Sequence, residues 1–593
     1  MARTVLNGRP VSPGVAVGPA LVATELTPER VPERRIPAAE AEAALQALEE
    51  ARQRAIEGLK RIQAATTREL GIQDAAIYGA QISVLQDPDA LKFLRAAIQE
   101  QRLAPESAIQ ALLDRFTQLF ESMEGGDVQG WVADLRDPWV AVLRELGARE
   151  AEQWSGEGEA AVPLILVVAE LSPAVVGRHH RTPLAGIVAA RGGRFSHGAV
   201  LARSFGIPCV SGIEGAETRI RSGDRLVVYG DQGRVVVGAG EDELREARAA
   251  ADQIRAIQEA LTRQAREECR TADGVRIRLE ANIESPRDLD LFDPDIVDGV
   301  GLFRTEFAFM ERRSFPSARE QQRLYRRILE KMEGRPVVFR TLDTGNDKPL
   351  PYFETPAEAN PALGWRGLRV SLEFPDLFLV QLKALVRARA AGRVRILLPM
   401  VTTLEEMRSA RECYERVLDE AGLKREEAPP LGAMIEVPSA AVVLPALARE
   451  CDFLSVGTND LIQYLFAVDR DNGRVADLYQ PYHPAHLQVL QRIARVCRDA
   501  GKPFSACGEM AGYMAGALFL VGAGFRTLSI APAFVPKIQA TLREASLAEL
   551  EALAARAADC EVAEESTALL EEAAARLWER AVERARATDT ASG

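Results

Sequence analysis

The chain has 593 residues, more than a single hydrophobic core usually accommodates, so it should divide into several domains. Its hydrophobic fraction of 47% and charged fraction of 27% are ordinary for globular proteins and argue against a largely disordered or membrane-embedded chain. The net charge of −13 argues against a nucleic-acid-binding protein, and it requires that local arginines receive any anionic substrate.

The N-terminal segment and the cysteines indicate the cellular compartment. Prolines and glycines interrupt the first residues, as in SPGVAVGPALV, where a signal peptide needs an unbroken apolar stretch. No later run offers the roughly 18 apolar residues of a membrane span. The seven cysteines are scattered and never form CxxC, which favours neither a disulfide framework nor a zinc site. We therefore expect a cytoplasmic protein without membrane insertion.

The first 270 residues indicate an α/β domain that a helical unit interrupts. Residues 1–25 and 150–238 contain short strand-like runs, and the second segment ends in a hairpin pattern around Gly233. Residues 26–149 are rich in Ala, Glu, Arg and Leu at helical spacing, which predicts an inserted helical domain. Residues 239–270 are charged and helix-favouring, which predicts a linker helix between two globular parts.

A barrel is predicted for residues 271–575. Eight strand-like runs follow Thr271, and helix-favouring segments separate most of them, as a (β/α)8 barrel requires. Such barrels place their chemistry at the carboxyl ends of the strands. We predict a polar C-terminal tail over residues 576–593. The runs are VRIRLEANI, VDGVGLF, PVVFRTLD, RVRILLPMV, LGAMIEVP, DFLSVGT, PFSACGE and TLSIAP.

One histidine of the first half has the surroundings of a phosphate carrier. In GIVAARGGRFSHGAVLAR an apolar strand leads into two glycines, and His197 stands just before a helical stretch. Backbone amides at a helix start and the guanidinium of Arg203 could hold a phosphate on the imidazole. His197 would then be a covalent carrier that divides one transfer into two. The alternative interpretation is a histidine that caps a helix.

Charged side chains follow several of the predicted barrel strands. Arg304 and Arg340 stand at the ends of the second and third strands, where guanidinium forks match phosphate and carboxylate oxygens. Glu436 ends the fifth strand and Asp460 the sixth, and two such carboxylates suit Mg²⁺. Taken singly, Arg304 and Arg340 could instead be surface or ion-paired arginines, and an acid such as Asp460 could instead cap a helix.

Cys507 ends the seventh predicted strand, in FSACGEMAG. If a phosphoryl group leaves an enol phosphate, an enolate remains and its methylene carbon must be protonated. A protonated thiol at this position is a suitable acid. The alternative is a buried structural cysteine.

These segments together resemble the Enzyme I family of phosphoenolpyruvate-utilising enzymes. The segment around His197 resembles the family's phosphohistidine signature GGxxSHxAxxAR. The barrel motifs GLFRTEF, RTLDTGNDK, NPALGWRGLR, IEVPSA, GTNDLIQYLFAVDR, HPAHL and CGEMAG stand in the family's order. The likeness extends from SPGVAVGPALV to about Pro532.

The resemblance implies an activity, a metal and partners. It implies transfer of the phosphoryl group of phosphoenolpyruvate to His197 with release of pyruvate, then onward transfer to a histidine of the phosphocarrier HPr or a nitrogen-branch homologue. It also implies a homodimer formed through the barrel and a requirement for Mg²⁺. Five residues would bind phosphoenolpyruvate by this resemblance: Arg304, Arg340, Asn459, Asp460 and Arg470. Glu436 and Asp460 would hold Mg²⁺, and Cys507 would donate the proton.

Four positions depart from the family pattern: Gly198, where threonine is usual, Gln81, where histidine is frequent, Tyr513 in place of aspartate and Asn346 in place of glycine. Gly198, Gln81 and Tyr513 leave open a non-catalytic regulatory protein that kept the fold. A second open alternative is a relative of the dikinases, which carry an additional ATP-binding domain in front. Because only a short strand region precedes the helical unit, we do not expect ATP use.

Overall fold

A computed structural model divides the chain into two compact units, residues 1–254 and 255–593, which are described separately. The described residues are 3–22, 34–69, 81–121, 138–143, 145–146, 163–171, 184–192, 199, 202, 206–283, 288–289, 292–310, 314–345, 350, 352–353, 358–469, 475 and 478–592.

An eight-stranded mixed sheet organises the first unit, in the order β1-β8-β7-β3-β4-β5-β6-β2. The strands β3 to β6 run parallel to one another, and the remaining pairs are antiparallel. The antiparallel pair β7 and β8 confirms the predicted hairpin. The strands are β1 Thr4–Asn7, β2 Arg9–Ser12, β3 Val15–Val22, β4 Leu164–Glu170, β5 Leu184–Arg191, β6 Cys209–Ser211, β7 Arg225–Tyr229 and β8 Arg234–Val237.

The central strands of this sheet are buried on both faces, because their sequences are apolar throughout. Leu164, Leu166 and Val168 of β4 enter one hydrophobic cluster, whereas Ile165 and Val167 enter another on the opposite face. This alternation follows from the two-residue period of a strand. The sheet is therefore an interior layer of its unit.

Helices lie between β3 and β4 along the chain. Residues from these helices, with the fully buried Trp139, form a hydrophobic cluster of their own. Asp87 caps the second helix, because its carboxylate accepts the backbone N–H groups of Asp89 and Ala90. Helices of the first unit include α1 Ala41–Glu69, α2 Pro88–Gln99, α3 Pro105–Glu121 and α4 Ala216–Arg219, and α5 Glu241–Gln264 continues into the second unit.

A closed barrel of eight parallel strands forms the second unit and confirms the predicted (β/α)8 fold. All eight strands coincide with the runs that the sequence indicated. The strands are β9 Arg278–Ile283, β10 Val300–Arg304, β11 Val337–Arg340, β12 Val394–Leu398, β13 Leu431–Ile435, β14 Phe453–Val456, β15 Phe504–Ala506 and β16 Thr527–Ile530.

Helices surround the barrel, and three of them begin with a capping box: Ser317 with Glu320, Thr403 with Glu406, and Ser546 with Glu549. The last helix continues to Ser592, over the segment for which the sequence favoured a separate tail. The helices are α6 Phe307–Met310, α7 Ala318–Lys331, α8 Leu368–Glu373, α9 Pro375–Ala388, α10 Leu404–Ala421, α11 Pro438–Val442, α12 Leu444–Glu450, α13 Thr458–Phe466, α14 Pro484–Asp499, α15 Met514–Ala523, α16 Val535–Arg543, α17 Leu547–Ala558 and α18 Ala563–Ser592.

Over the residues that the structure describes, no helix combines the length and the apolar composition needed to cross a bilayer.

The start of α14 contains two histidines with different environments. His483 caps the helix, because its Nδ1 accepts the backbone N–H of Ala485 at 3.1 Å. His486 is fully buried, and its Nδ1 lies 2.8 Å from the carbonyl oxygen of Pro481. Burial lowers the pKa of His486 to about 4. The imidazole of His486 is therefore neutral in the folded protein at neutral pH.

We expect His486 to make the stability of the barrel depend on pH. A histidine in the unfolded chain has a pKa near 6.5 and binds a proton below that pH. In the folded chain His486 stays neutral down to about pH 4, so protonation stabilises the unfolded state between these two pH values. The free energy of unfolding should fall by about 2 kcal/mol between pH 7.5 and pH 5 from this group alone. Urea unfolding of His486→Asn should lack that part of the pH dependence. A variant that loses stability equally at both pH values would contradict the assignment.

Candidate active site

Arg340 is the last residue of β11, and its guanidinium lies buried between two carboxylates. Nη2 is 2.7 Å from Oε1 of Glu306, and Nη1 is 3.0 Å from Oδ2 of Asp343. Burial opposes the charged form of Arg340, but the carboxylates of Glu306, Asp343 and Glu436 outweigh it and raise its pKa. Arg340 is thus a fixed cation at the carboxyl end of the barrel strands.

A second buried arginine, Arg366, is linked to the first through Asp343. Its Nη2 lies 2.8 Å from Oδ2 of Asp343 and 3.6 Å from Oδ2 of Asp460. Gly367 follows at φ +61°, and a Cβ at that position would meet the Met400 side chain at 2.9 Å. Glycine is therefore required where the chain leaves Arg366.

The two carboxylates predicted to bind metal occupy one region. Oε1 of Glu436 accepts the backbone N–H of Met400 at 2.6 Å, and Met400 has the unusual φ of 55°. A Cβ on Gly457 would lie 2.8 Å from Oε2 of Glu436, so only glycine permits this approach. Burial and the neighbouring carboxylates of Asp460 and Asp343 raise the pKa of Glu436 to about 8. Glu436 and Asp460 are thus close enough to repel each other.

Asn459 stands in the first turn of α13, and its side chain is engaged by Glu509. Its Oδ1 accepts the backbone N–H of Glu509 at 2.9 Å, and its Nδ2 donates to Oε1 of the same residue at 3.1 Å. This reciprocal pair ties α13 to the segment that follows β15. The backbone N–H of Asn459 lies at a helix start, where such groups lack intrahelical acceptors.

Cys507 follows β15 and is 3% exposed, in a cluster of inward-facing residues from five other strands. Burial raises the pKa of its thiol to about 11, with a hydrogen bond from Ser455 opposing the rise. The charges of Glu436, Arg340 and Arg304 also act on the thiol, so these three side chains lie near Cys507. At neutral pH the thiol keeps its proton.

Three of the candidate residues fall outside the described part of the chain: His197, Arg203 and Arg470. Gln81 is described and half-buried at the N-terminal side of α2, and Tyr513 precedes α15. Among the described residues, no group of three His, Cys, Asp or Glu side chains is placed to hold a metal ion. The structure brings together Arg304, Arg340, Glu436, Asp460 and Cys507, with Asn459 beside Asp460 in the same helical turn.

Three buried residues of this region were not among the sequence-based candidates: Arg366, Glu306 and Asp343. Their exposed fractions are 3%, 6% and 1%. The only sequence signal for Arg366 was its place in the motif NPALGWRGLR. Glu306 and Asp343 stand within two and three residues of Arg304 and Arg340, which was the available signal for them.

Three family models match the chain in succession. The first, described as PEP-utilising enzyme, N-terminal, matches residues 7–128. The mobile domain of the PEP-utilising enzymes matches residues 161–233, which include position 197. Their PEP-binding domain matches residues 258–547, which include the residues at the strand ends.

Curated relatives match over almost the whole chain. The phosphoenolpyruvate-protein phosphotransferase of Enterococcus faecalis is 36% identical over 577 residues, which cover 96% of this chain and 99% of the relative. The chain belongs to the phosphoenolpyruvate-protein phosphotransferase family. Family members from Staphylococcus carnosus and Geobacillus stearothermophilus are each 35% identical and cover 87% and 91% of this chain, and 90% and 93% of their own lengths. Family membership confirms the resemblance drawn from the motifs.

Proposed function

We propose that this protein transfers the phosphoryl group of phosphoenolpyruvate to its own His197, releases pyruvate, and passes the phosphoryl group to a histidine of a phosphocarrier protein. The observation that carries the proposal is the convergence of Arg340, Glu436 and Cys507 at one end of the barrel in a chain of this family. A cation, a carboxylate and a protonated thiol are the groups that cleavage of an enol phosphate needs there.

The substrate would be held by charge and hydrogen bonds at the ends of the strands. Arg304, Arg340 and Arg470 would bind its phosphate and carboxylate oxygens. Because the side chain of Asn459 is engaged by Glu509, its contribution would be the backbone N–H at the start of α13. Most of the catalytic effect would then come from positioning and charge stabilisation.

Glu436 and Asp460 would hold Mg²⁺, and the residues fit this ion. Their oxygens are hard ligands, and burial together with the neighbouring carboxylate of Asp460 raises the pKa of Glu436. Two protein ligands would suffice, because Mg²⁺ usually keeps several of its water ligands. When bound, the ion would supply positive charge to the phosphoryl oxygens.

The bond between phosphorus and the enol oxygen breaks, and a bond between phosphorus and an imidazole nitrogen of His197 forms. The electron pair stays on the enolate, whose methylene carbon takes the proton of the Cys507 thiol to give pyruvate. The thiolate regains a proton from water, and the guanidinium of Arg203 would support the phosphohistidine.

The acceptor would be HPr or a nitrogen-branch homologue, docked on the helical segment between β3 and β4. His197, on the sheet unit, would have to reach both the barrel and this partner, so the segment around α5 would act as the hinge. Gln81 and Gly198 are the positions at which partner recognition and rate are expected to differ from other family members.

A homodimer formed through the barrel is also proposed. Large apolar side chains are exposed on connections that follow barrel strands, such as Leu363 at 64% and Val442 at 63% exposure. Connections of this kind lie at the carboxyl end of the barrel. Exposed apolar residues on one face suit association with a second copy.

Pyruvate release in the presence of a phosphocarrier tests the function. With phosphoenolpyruvate, Mg²⁺ and HPr, we expect continuous turnover that depends on all three components. Without HPr, release should stop near one pyruvate per protein chain. A folded protein that releases no pyruvate under either condition would favour the regulatory alternative.

A further inference from the structure

The carboxylate of Asp343 lies between the two buried arginines, Arg340 and Arg366, and pairs with both. Its Oδ2 lies 3.0 Å from Nη1 of Arg340 and 2.8 Å from Nη2 of Arg366, and its Oδ1 accepts Nε of Arg366 at 3.3 Å. The carboxylate of Asp343 is fully buried. One oxygen atom therefore holds two guanidinium groups from different segments of the barrel mouth.

Glu306 braces the same arrangement from the other side. Its Oε1 accepts both Nη2 of Arg340 at 2.7 Å and the backbone N–H of Asp343 at 3.1 Å. It thereby fixes the guanidinium of Arg340 and the backbone that carries Asp343 with a single atom. The hydroxyl of Thr305 bonds the carbonyl oxygen of Arg340 at 2.9 Å, which also immobilises the backbone of that arginine.

The charges explain why such an arrangement is needed. Two guanidinium groups that share one buried carboxylate oxygen would repel each other strongly without it. A long arginine side chain is held ready to bind a ligand only where neighbouring groups fix its orientation. In Arg340, Nη1 and Nη2 are each engaged by a carboxylate, while Nε is buried without a partner among the described residues. That nitrogen is a donor left over for a ligand.

We propose that Asp343 is a positioning residue that holds Arg340 and Arg366 as one rigid anion-binding fork and acts as their internal counter-ion. This inference rests on the proposed binding of phosphoenolpyruvate by Arg340. Glu306 supports the fork, and neither carboxylate contacts the substrate. The fork selects small anions with several terminal oxygens, which can accept hydrogen bonds from both guanidinium groups.

The test uses inorganic sulfate as a probe on the full-length protein. In Asp343→Asn the two arginines lose the negative charge of their shared partner, while asparagine keeps nearly the same side-chain shape. We expect sulfate to inhibit this variant competitively with phosphoenolpyruvate about tenfold more strongly than the wild type, because the vacated charge favours a small dianion. We expect kcat to fall about tenfold, because the two arginines are no longer held in alignment. KM should stay within about threefold, because the greater net positive charge still attracts the substrate. Sulfate should also raise the melting temperature of the variant more than that of the wild type.

A matched control is available in Glu544, which is 4% exposed and pairs with two arginines, Arg580 at 3.8 Å and Arg584 at 3.1 Å. Glu544→Gln should lose stability without gaining sulfate sensitivity. If Asp343→Asn does not fold, Glu306→Gln provides the test, with changes in the same direction and of smaller size. The proposal would be overturned if Asp343→Asn and Glu306→Gln were inhibited by sulfate only as strongly as the wild type and also had the wild-type kcat.

The proposed function and the positioning role can fail separately. If Arg340→Gln retains normal turnover of phosphoenolpyruvate, the binding role of Arg340 is wrong. If Arg340→Gln loses turnover while Asp343→Asn behaves like the Glu544→Gln control, only the positioning role of Asp343 is wrong.

Discussion

Replacing Arg340 by lysine is expected to lower kcat/KM for phosphoenolpyruvate by about a hundredfold to a thousandfold, the usual effect of losing one preorganised donor. Lysine keeps a positive charge between Glu306 and Asp343, so the buried carboxylates retain a partner. It cannot reproduce the fork, since an ammonium group lacks the planar pair of donors. Initial rates of pyruvate formation at several substrate concentrations measure the effect.

The control for this prediction lies at the opposite end of the same strand. Arg335 precedes β11 and pairs with Asp295 at 2.6 Å. Arg335→Lys should leave kcat/KM within about twofold, as expected for a partly exposed ion pair away from the reaction. Equal losses in the two variants would mean that Arg340 acts through barrel stability and not through the substrate.

Replacing Cys507 by alanine is expected to slow pyruvate formation by a factor of about 10² to 10⁴, the usual contribution of a general acid. Phosphorylation of His197 should suffer less, so phosphoprotein should accumulate before pyruvate appears. Because burial raises the pKa of the Cys507 thiol to about 11, the wild-type acid should also stay protonated between pH 7 and pH 9. A coupled pyruvate assay run beside intact-mass measurements separates the two steps.

Cys497 provides the matched control for Cys507. It is a buried cysteine of α14, and burial raises the pKa of its thiol to about 12. Cys497→Ala should change stability but not the order in which phosphoprotein and pyruvate appear. If Cys507→Ala forms pyruvate as fast as phosphoprotein, another group protonates the enolate.

The barrel and much of its site could be predicted from the sequence for a physical reason. Parallel strands joined by helical crossovers bring their carboxyl ends to one face, so the position of the residue at the end of each apolar run is set by the run itself. Arg304, Arg340, Glu436 and Cys507 were located in this way. An error of one or two residues in a predicted strand end does not change this prediction, because a polar residue that directly follows a buried strand still lies at the same end of the barrel.

The supporting residues could not be predicted in the same way. Arg366 lies within the long connection between β11 and α8, where no periodicity indicates which side chains turn inward. Glu306 and Asp343 are acids next to arginines, a pattern that equally describes exposed ion pairs. Their burial depends on contacts between different strands, and Oε1 of Glu306, which bonds both Arg340 and the backbone of Asp343, is an example. Asn459 was expected to bind substrate, but the sequence did not indicate that its side chain is engaged by Glu509.

Phosphorylation of His197 by phosphoenolpyruvate is the step on which the proposed transfer depends. Intact-mass measurement after addition of phosphoenolpyruvate and Mg²⁺ should show a gain of about 80 Da on the wild-type chain, reversed by a phosphocarrier and absent from His197→Ala. A wild-type chain that releases pyruvate without this gain, or a His197→Ala chain that acquires it, would contradict the account.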